Sequence, residues 1–267
     1  MFNTSHAFEA REYKVVPAIS VMRDCSEDTL LRRFRQRYET IAADTAERVR
    51  LSQKIRYQVY CIEHPFLSVD NLDCIEADEY DSHSVHTLLL SRETGDALGT
   101  ARLILPHPRV FEHSFPVQHV LDRNSLKILA SLPRHSTAEV SRFSISRQLR
   151  RLGSDSPQSP QSDTVSANPC GPLMRLGLFR GLVQMSMIHK ITHWCAVMEP
   201  TLLRMFTAMA IRPEPLGPMV EYHGLRQPCY LDLHEMLDTM MRERPAMWEV
   251  MTDAGSFVPR APCAVAA

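Results

Sequence analysis

Residues 139–151 read EVSRFSISRQLRR. The stretch opens with a carboxylate and an arginine three apart, alternates apolar and hydroxyl residues, and ends in a basic run. Alternation predicts a strand, whose side chains switch faces at every step. In a regular strand Glu139 and Arg142, an odd number apart, point to opposite faces. An acid and a base in that arrangement need a reason beyond packing, and the surrounding chain narrows the choice.

The chain has 267 residues, enough for one large domain or one domain with extensions. Hydrophobic residues make up 44% and charged residues 23%, ordinary for a globular protein. A net charge of −1 gives no global basic signature, so an acidic partner has to be met by a local patch. That balance, and the lack of aromatic–basic interleaving, disfavour nucleic-acid binding. The seven cysteines are odd in number and irregularly spaced, without C-x-x-C. This predicts reduced thiols in the cytoplasm and argues against a disulfide framework or structural zinc. No signal peptide is read at the N-terminus and no apolar run is long enough to span a membrane.

Outward from the opening strand, the chain alternates helical and extended patterns. Residues 1–25 read as an N-terminal arm. SEDTLLRRFRQRYETIA, residues 26–42, predicts one helix with an N-terminal cap at Ser26. A second helix is predicted over 44–60. NLDCIEADEYDSH, 71–83, reads as an acidic loop. SVHTLLLS, RETGDA and LGTARLIL then predict a strand, a turn and a returning strand. A short helix is expected near 124–132. Residues 153–171, rich in Ser, Pro and Gln, predict a flexible loop. A buried helix over 172–189, a strand THWCAVM, a helix TLLRMFTAMAI, two short strands and an amphipathic helix LHEMLDTMMRER follow. After Pro245 the chain reads as a tail, 246–267. The order predicts a single mixed α/β domain over 26–245 with a strand–helix–strand crossover near its middle.

Three ionisable clusters stand out: Asp78 and Asp81 in DEYD, Arg102 in GTARLIL, and Glu139 with Arg142. Taken alone, an arginine in a strand is ordinarily snorkelling or paired, and an acidic loop is ordinarily solvated. The acidic loop lacks the central Gly and oxygen spacing of a calcium loop. His83 and His86 beside Asp81 place no fourth ligand, so no metal site is expected.

Together the clusters resemble a known family. Arg56-x-x-x-Tyr60, Phe66, Asp78-x-x-Asp81, Gly99-Thr-Ala-Arg102-Leu and Glu139-x-x-Arg142 are similar in order and spacing to the acyl-homoserine-lactone (autoinducer) synthases. That family usually has Phe at the Tyr60 position and Trp at the Phe66 position. VYCIEHPF, DEYD, GTARLILP and EVSRFSIS resemble more closely the long-chain N-acyl amino acid synthases. Within that group they look most like the acyltransferases associated with PEP-CTERM/exosortase systems. The resemblance implies a GNAT-like acyl-CoA N-acyltransferase fold, with a mixed central sheet flanked by helices. It also implies a β-bulge in the strand that meets the donor. Across a bulge Glu139 and Arg142 can share one face. The alternative is that Glu139 sits at the strand entrance and Arg142 pairs elsewhere.

The implied chemistry is transfer of a fatty acyl chain from a thioester to an amine. Glu139 is expected as general base, with Arg142, Arg102, Asp78 and Asp81 completing the catalytic set. Arg102 and Arg142 either bind an acceptor carboxylate or hold the acids, and the second role is favoured for Arg102. Arg56, Tyr60, Phe66, Phe143 and Ser144 are the expected substrate-binding residues. Cys61 is read as a small buried residue. The helix over 172–189 either lines an acyl tunnel, through Leu176, Leu178, Phe179, Leu182, Val183, Met185 and Met187, or is plain core. Relatives that use coenzyme A follow this strand with a Gly-rich pyrophosphate loop, and RQLRRLGSDSPQSPQSD has none. The implied donor is therefore acyl carrier protein, an acidic partner for Arg147, Arg150 and Arg151. No cofactor is implied beyond the phosphopantetheine thioester. Alternatives are a lactone synthase using S-adenosylmethionine and an inactive acyl-binding module.

Overall fold

The computed structural model describes residues 29–65, 67, 72–148 and 170–258. The N-terminal arm, Phe66, Arg150, Arg151 and nearly all of the Ser/Pro/Gln-rich segment lie outside the described residues.

Helix α1 (Leu30–Arg37) starts at Thr29, whose hydroxyl accepts the Arg32 N–H. The helical pattern predicted to continue to residue 42 stops at Arg37, and Tyr38–Ala42 forms strand β1. Ladder bonds to the next strand and a hydrogen bond from the Thr40 hydroxyl to the Gly177 carbonyl at 3.0 Å override the local pattern. Helix α2 (Ala46–Tyr57) runs into a wide π turn, Gln58–Glu63. Strands β2 (Ser84–Ser91) and β3 (Ala97–Ile104) form the predicted hairpin, and every residue of β3 is buried. Helix α3 (Arg123–Ser131) precedes strand β4 (Thr137–Ile145). Helix α4 (Cys170–Ile188) crosses to strand β5 (His193–Met198), which pairs parallel with β4 as the crossover predicts. Helix α5 (Pro200–Ala208), two-residue strands β6 (Glu214–Pro215) and β7 (Val220–Glu221), strand β8 (Leu225–Asp232) and helix α6 (Leu233–Glu243) follow. Pro245–Thr252 is a further helix, α7, not a tail. Its Val250 and Met251 are buried in the core, which the short apolar run after a proline did not reveal.

The sheet order is β1-β2-β3-β4-β5-β8-β6, with β7 paired to β8. Its two faces separate by alternation. Leu89, Leu103, Ala138 and Trp194 pack with α4 in the largest core cluster. Their neighbours Ile104 and Cys195 pack on the opposite face with Tyr80, Phe115 and Val117, and Leu88 packs there with Ile55 of α2. Gly177 and Gly181, one turn apart, let α4 lie close to the sheet. A Cβ at Gly181 would come within 2.1 Å of the Thr87 hydroxyl, and one at Gly177 within 2.6 Å of Leu89. The face carrying Ile104 and Cys195 holds the ionisable residues.

Candidate active site

Asp78 and Asp81 owe their geometry to their spacing. Asp78 caps a 3₁₀ turn, Glu79–His83, accepting the Tyr80 N–H at 3.0 Å, and Asp81 reaches back to accept the Asp78 N–H at 2.9 Å. A reciprocal cap of this kind turns two acids three apart into a rigid pair. Glu76 precedes Asp78 by two residues and is buried.

These three carboxylates alternate with three arginines in a closed ring. Arg56 of α2 bonds Glu76 through Nε and Asp81 through both Nη atoms, at 2.6 and 3.1 Å. Arg102 of β3 bonds Asp78 at 2.5 and 2.9 Å and Asp81 at 2.9 Å. Arg142 of β4 bonds Glu76 at 2.9 Å and Asp78 at 3.1 Å, which closes the circuit. Arg56 and Arg102 are fully buried, and the Arg142 side chain keeps 21% of its exposure. Buried charges of this kind persist only where each is paired and hydrogen-bonded. Burial alone would raise Asp81, but hydrogen bonds and charge from Arg56, with the charge of Arg102, hold it well below the usual carboxylate range. Glu76 is likewise lowered, by Arg142 and Arg56 against the opposing effect of burial. The acidic stretch is therefore not a solvated loop, as its composition suggested. Glu76, missed in the sequence, sits two residues before Asp78, the spacing that shares a side in extended chain.

The opening question about β4 has a structural answer. The ladder pairs Arg102 with Ser141 and Thr100 with Ser144, so Arg142 and Phe143 together face Ala101. This is a β-bulge, and Arg142 adopts φ +50° within it. Ser141 accepts a hydrogen bond from Arg102 Nε at 2.9 Å, and Arg142 shares Asp78 with the same arginine. Consecutive residues thus lie on one face, together with Glu139 two before Ser141. Arg142 does not pair with Glu139, and its carboxylate partners are Glu76 and Asp78 of the ring.

Glu139 lies beside the ring, its ladder partners Ile104 and Cys195 flanking it. It is 4% exposed and accepts the Val117 N–H at 2.8 Å. Burial pushes its carboxyl up to about 7, against the Val117 N–H and the charges of Arg102 and Arg142, which lower it. A carboxyl held near neutrality exchanges a proton at working pH. Val117 belongs to a 3₁₀ turn, Pro116–His119, whose exposed His119 also meets the Tyr80 hydroxyl at 2.9 Å. His86 lies buried beneath the ring, Nδ1 3.4 Å from Ser52 and Nε2 3.6 Å from Asp81. Burial and then the Arg56 charge lower it to about 4, so it stays neutral.

Beside Glu139 the sheet opens. Strand β5 pairs with β4 only from Thr137 to Glu139, after which the two strands part. A narrow apolar pocket lies alongside β5 and β8 and reaches Val140 of β4, lined also by Trp194, Cys195, Ala196, Met198, Phe179, Phe206, Pro213, Cys229, Tyr230 and Leu231. Of the α4 residues named for an acyl tunnel, only Phe179 lines this pocket, and Leu176, Leu178, Leu182, Val183 and Met185 are core.

The expected substrate residues scatter. Arg56 is consumed by the ring. Tyr60 is half-buried, with the Arg142 guanidinium 5.6 Å over its ring. Phe143 turns to the other face and packs on Phe179 at 5.0 Å between centroids. Ser144 is buried and donates to the Arg142 carbonyl at 3.1 Å, so it points into the sheet. Cys61 is half-buried rather than core. Arg147 is exposed just past β4. Among the described residues no group of three His, Cys, Asp or Glu could hold a metal ion. Nor is any described helix long and apolar enough to cross a membrane.

Comparisons place this geometry among known proteins. Residues 55–155 match the acetyltransferase (GNAT) domain. No curated protein matches the sequence. Among solved structures the chain is similar to FeeM, an N-acyl amino acid synthase from uncultured soil microbes. The TM-score is 0.55 at 13% identity, over 77% of this chain and 97% of that one. It is similar to TofI, solved in a ternary complex with an inhibitor and MTA, with TM-score 0.52 at 18% identity over 78% of this chain and 96% of that one. It is also similar to MesI, a CoA-dependent acyl-homoserine lactone synthase, with TM-score 0.50 at 18% identity over 84% and 97%. At these identities the likeness is one of fold. Residues 55–155 carry the match to the acetyltransferase (GNAT) domain, and the fold is a mixed sheet flanked by helices.

Proposed function

We propose that this protein transfers a fatty acyl chain from the thioester of acyl carrier protein to the amine of an amino acid or similar small molecule. The observation that carries the reading is Glu139, a buried carboxyl near neutrality on the bulged strand, where β4 and β5 part next to an apolar pocket. The acyl chain enters this pocket, with its thioester carbonyl beside the bulge. Backbone N–H groups of the bulged stretch stabilise the oxyanion. Glu139 takes a proton from the acceptor ammonium, directly or through one water, because an ammonium has no lone pair to attack with. The nitrogen bonds the carbonyl carbon, the C–S bond breaks, the departing thiolate takes the proton from Glu139, and the second proton that the nitrogen sheds on becoming an amide passes to the freed Glu139 carboxylate and on to solvent. No covalent enzyme intermediate and no cofactor is required. The buried Cys195 thiol, pushed far up by burial and then by Glu139, is no nucleophile.

The carrier donor rests on the missing glycine-rich loop and on the basic run of the sequence that holds Arg147, Arg150 and Arg151. The link to PEP-CTERM/exosortase systems, and a cytoplasmic setting, rest on the motif resemblance and the cysteine usage. Purified protein incubated with acyl carrier protein thioesters and a mixture of amino acids tests the reading. Mass spectrometry should find a new N-acyl product that is absent with Glu139→Gln and declines as salt rises. A lactone product, or no amide from any donor, overturns it.

A further inference from the structure

Beyond the ring, one carboxylate is held where the mechanism gives it no role. Glu63 closes the π turn after α2 and reaches across to the end of β4. It accepts the Ser146 hydroxyl at 2.7 Å, the Arg147 N–H at 2.8 Å, the Gln148 N–H at 3.1 Å and the Gln58 side-chain amide at 3.4 Å. Gln58 also donates to the Gln148 side chain at 2.9 Å. These donors outweigh partial burial and keep the Glu63 carboxyl ionised, below its ordinary range. Two backbone N–H groups and a hydroxyl converging on one point form a receptor for an oxyanion. Here the protein's own carboxylate fills it.

The position matters because of where the sheet opens. Strands β4 and β5 are the parallel pair, and they part beyond Glu139 and Cys195 toward their carboxyl ends. Ligands of α/β sheets enter outside the carboxyl ends of parallel strands, where the strands diverge. From Glu139 to Ile145 the strand, one residue of it taken up by the bulge, runs about 17 Å at its ordinary rise. An extended phosphopantetheine arm has a reach of that order. A thioester at Glu139 therefore places the phosphate end of its arm at Ser146–Gln148, the residues Glu63 occupies.

We propose that Glu63 selects the donor: it takes the hydrogen-bond donors that a nucleotide diphosphate needs and sets a negative charge against it. The inference rests on the acyl-transfer reading above and adds the residue that rejects coenzyme A. A built-in repulsion weighs most on the donor that brings more negative charge to the site. A carrier protein brings one phosphodiester and makes its remaining contacts through its own surface. Coenzyme A brings a diphosphate and a further phosphate, and meets like charge with its anchoring groups already taken.

Binding, rather than turnover, is the test. Non-hydrolysable thioether analogues of decanoyl-pantetheine and decanoyl-coenzyme A are titrated calorimetrically against the whole chain. The wild type should bind the two within about threefold, so that the nucleotide adds nothing. Glu63→Gln keeps an acceptor oxygen and loses the charge. It should tighten coenzyme A analogue binding about tenfold while leaving the pantetheine analogue unchanged. Its melting temperature is measured alongside. Wild-type preference for the coenzyme A analogue overturns the proposal without any variant, as does an unchanged ratio in folded Glu63→Gln. If no donor yields an amide but the binding ratios behave as stated, the acyl-transfer reading fails and the donor selection stands.

Discussion

The Val117 N–H donates to Glu139 Oε2 at 2.8 Å, so the buried carboxyl is fixed by one backbone group from a different segment. One oxygen is thereby committed to a backbone N–H. That bond lowers the Glu139 carboxyl, burial raises it more, and the balance lies at about 7.

Glu139→Gln preserves the Val117 bond and removes the base. Turnover at saturating substrate should fall on the order of 10²–10⁴-fold. The wild-type rate should rise with pH to a plateau above about 7, the rising limb belonging to the Glu139 carboxylate. Stability moves the other way. A carboxyl raised in the fold contributes below its unfolded value and loses that contribution as pH rises through about 7. The melting temperature of the wild type should therefore fall relative to Glu139→Gln over that window. A rate profile flat across pH 6–8 would remove Glu139 from the reaction.

Glu76→Ala leaves Arg56 and Arg142 facing each other without their shared anion. Arg102→Ala frees Asp78 and Asp81 in the same way. Breaking a buried pair costs roughly 3–5 kcal/mol, so both variants should melt well below wild type. Asp73→Ala, which breaks an exposed bridge to Arg50, is the control and should change little. Equal melting of all three would show that the ring contributes no more than a surface pair.

Buried His86 makes the fold acid-sensitive before the carboxylates do. Its imidazole falls to about 4 in the fold, against about 6.5 unfolded. The unfolded chain takes the proton first, so stability is lost as pH drops from about 6.5 toward 4, by at most about 3 kcal/mol. Asp81 and Glu76 are lowered, so their contribution is lost only below their ordinary range, near pH 4 and under. His86→Gln should remove that loss, so that its melting temperature gains on the wild type as pH falls from 6.5 to 4.5, and should leave the lower limb intact. Parallel curves for the two proteins would place the acid sensitivity elsewhere.

Ala196 of β5 lines the apolar pocket and is 4% exposed. Ala196→Leu fills space that an acyl chain would take. The expected outcome is a product distribution shifted to shorter chains, with a destabilisation of about 1–3 kcal/mol from overpacking. An unchanged distribution on a folded variant would move the acyl site out of this pocket.

Much of this was legible in the residues. The hairpin over 84–104 and the β4–α4–β5 crossover follow from alternation and turn chemistry. The bulge also left a trace: Val140, Phe143 and Ile145 slip out of strict alternation by one step at Arg142. What stayed hidden depends on distant partners. Tyr38–Ala42 reads as helix because nothing local announces that β2 will pair with it. Glu76 looks like one acid among several until Arg56 and Arg142 converge on it from 20 and 66 residues away. Glu63 is invisible as a ligand for Arg147 because 84 residues separate them.

The ring also bears on the order in which the chain assembles. Its six members come from α2, the 72–83 segment, β3 and β4, so it closes only after all four are in place. Contacts that wait on so many loop closures form late and are absent from an early folding nucleus. Interactions missing from the transition state act on the rate of unfolding rather than of folding. The ring therefore serves the molecule as a latch: it does little to speed the chain to its native state and much to lengthen the time it stays there.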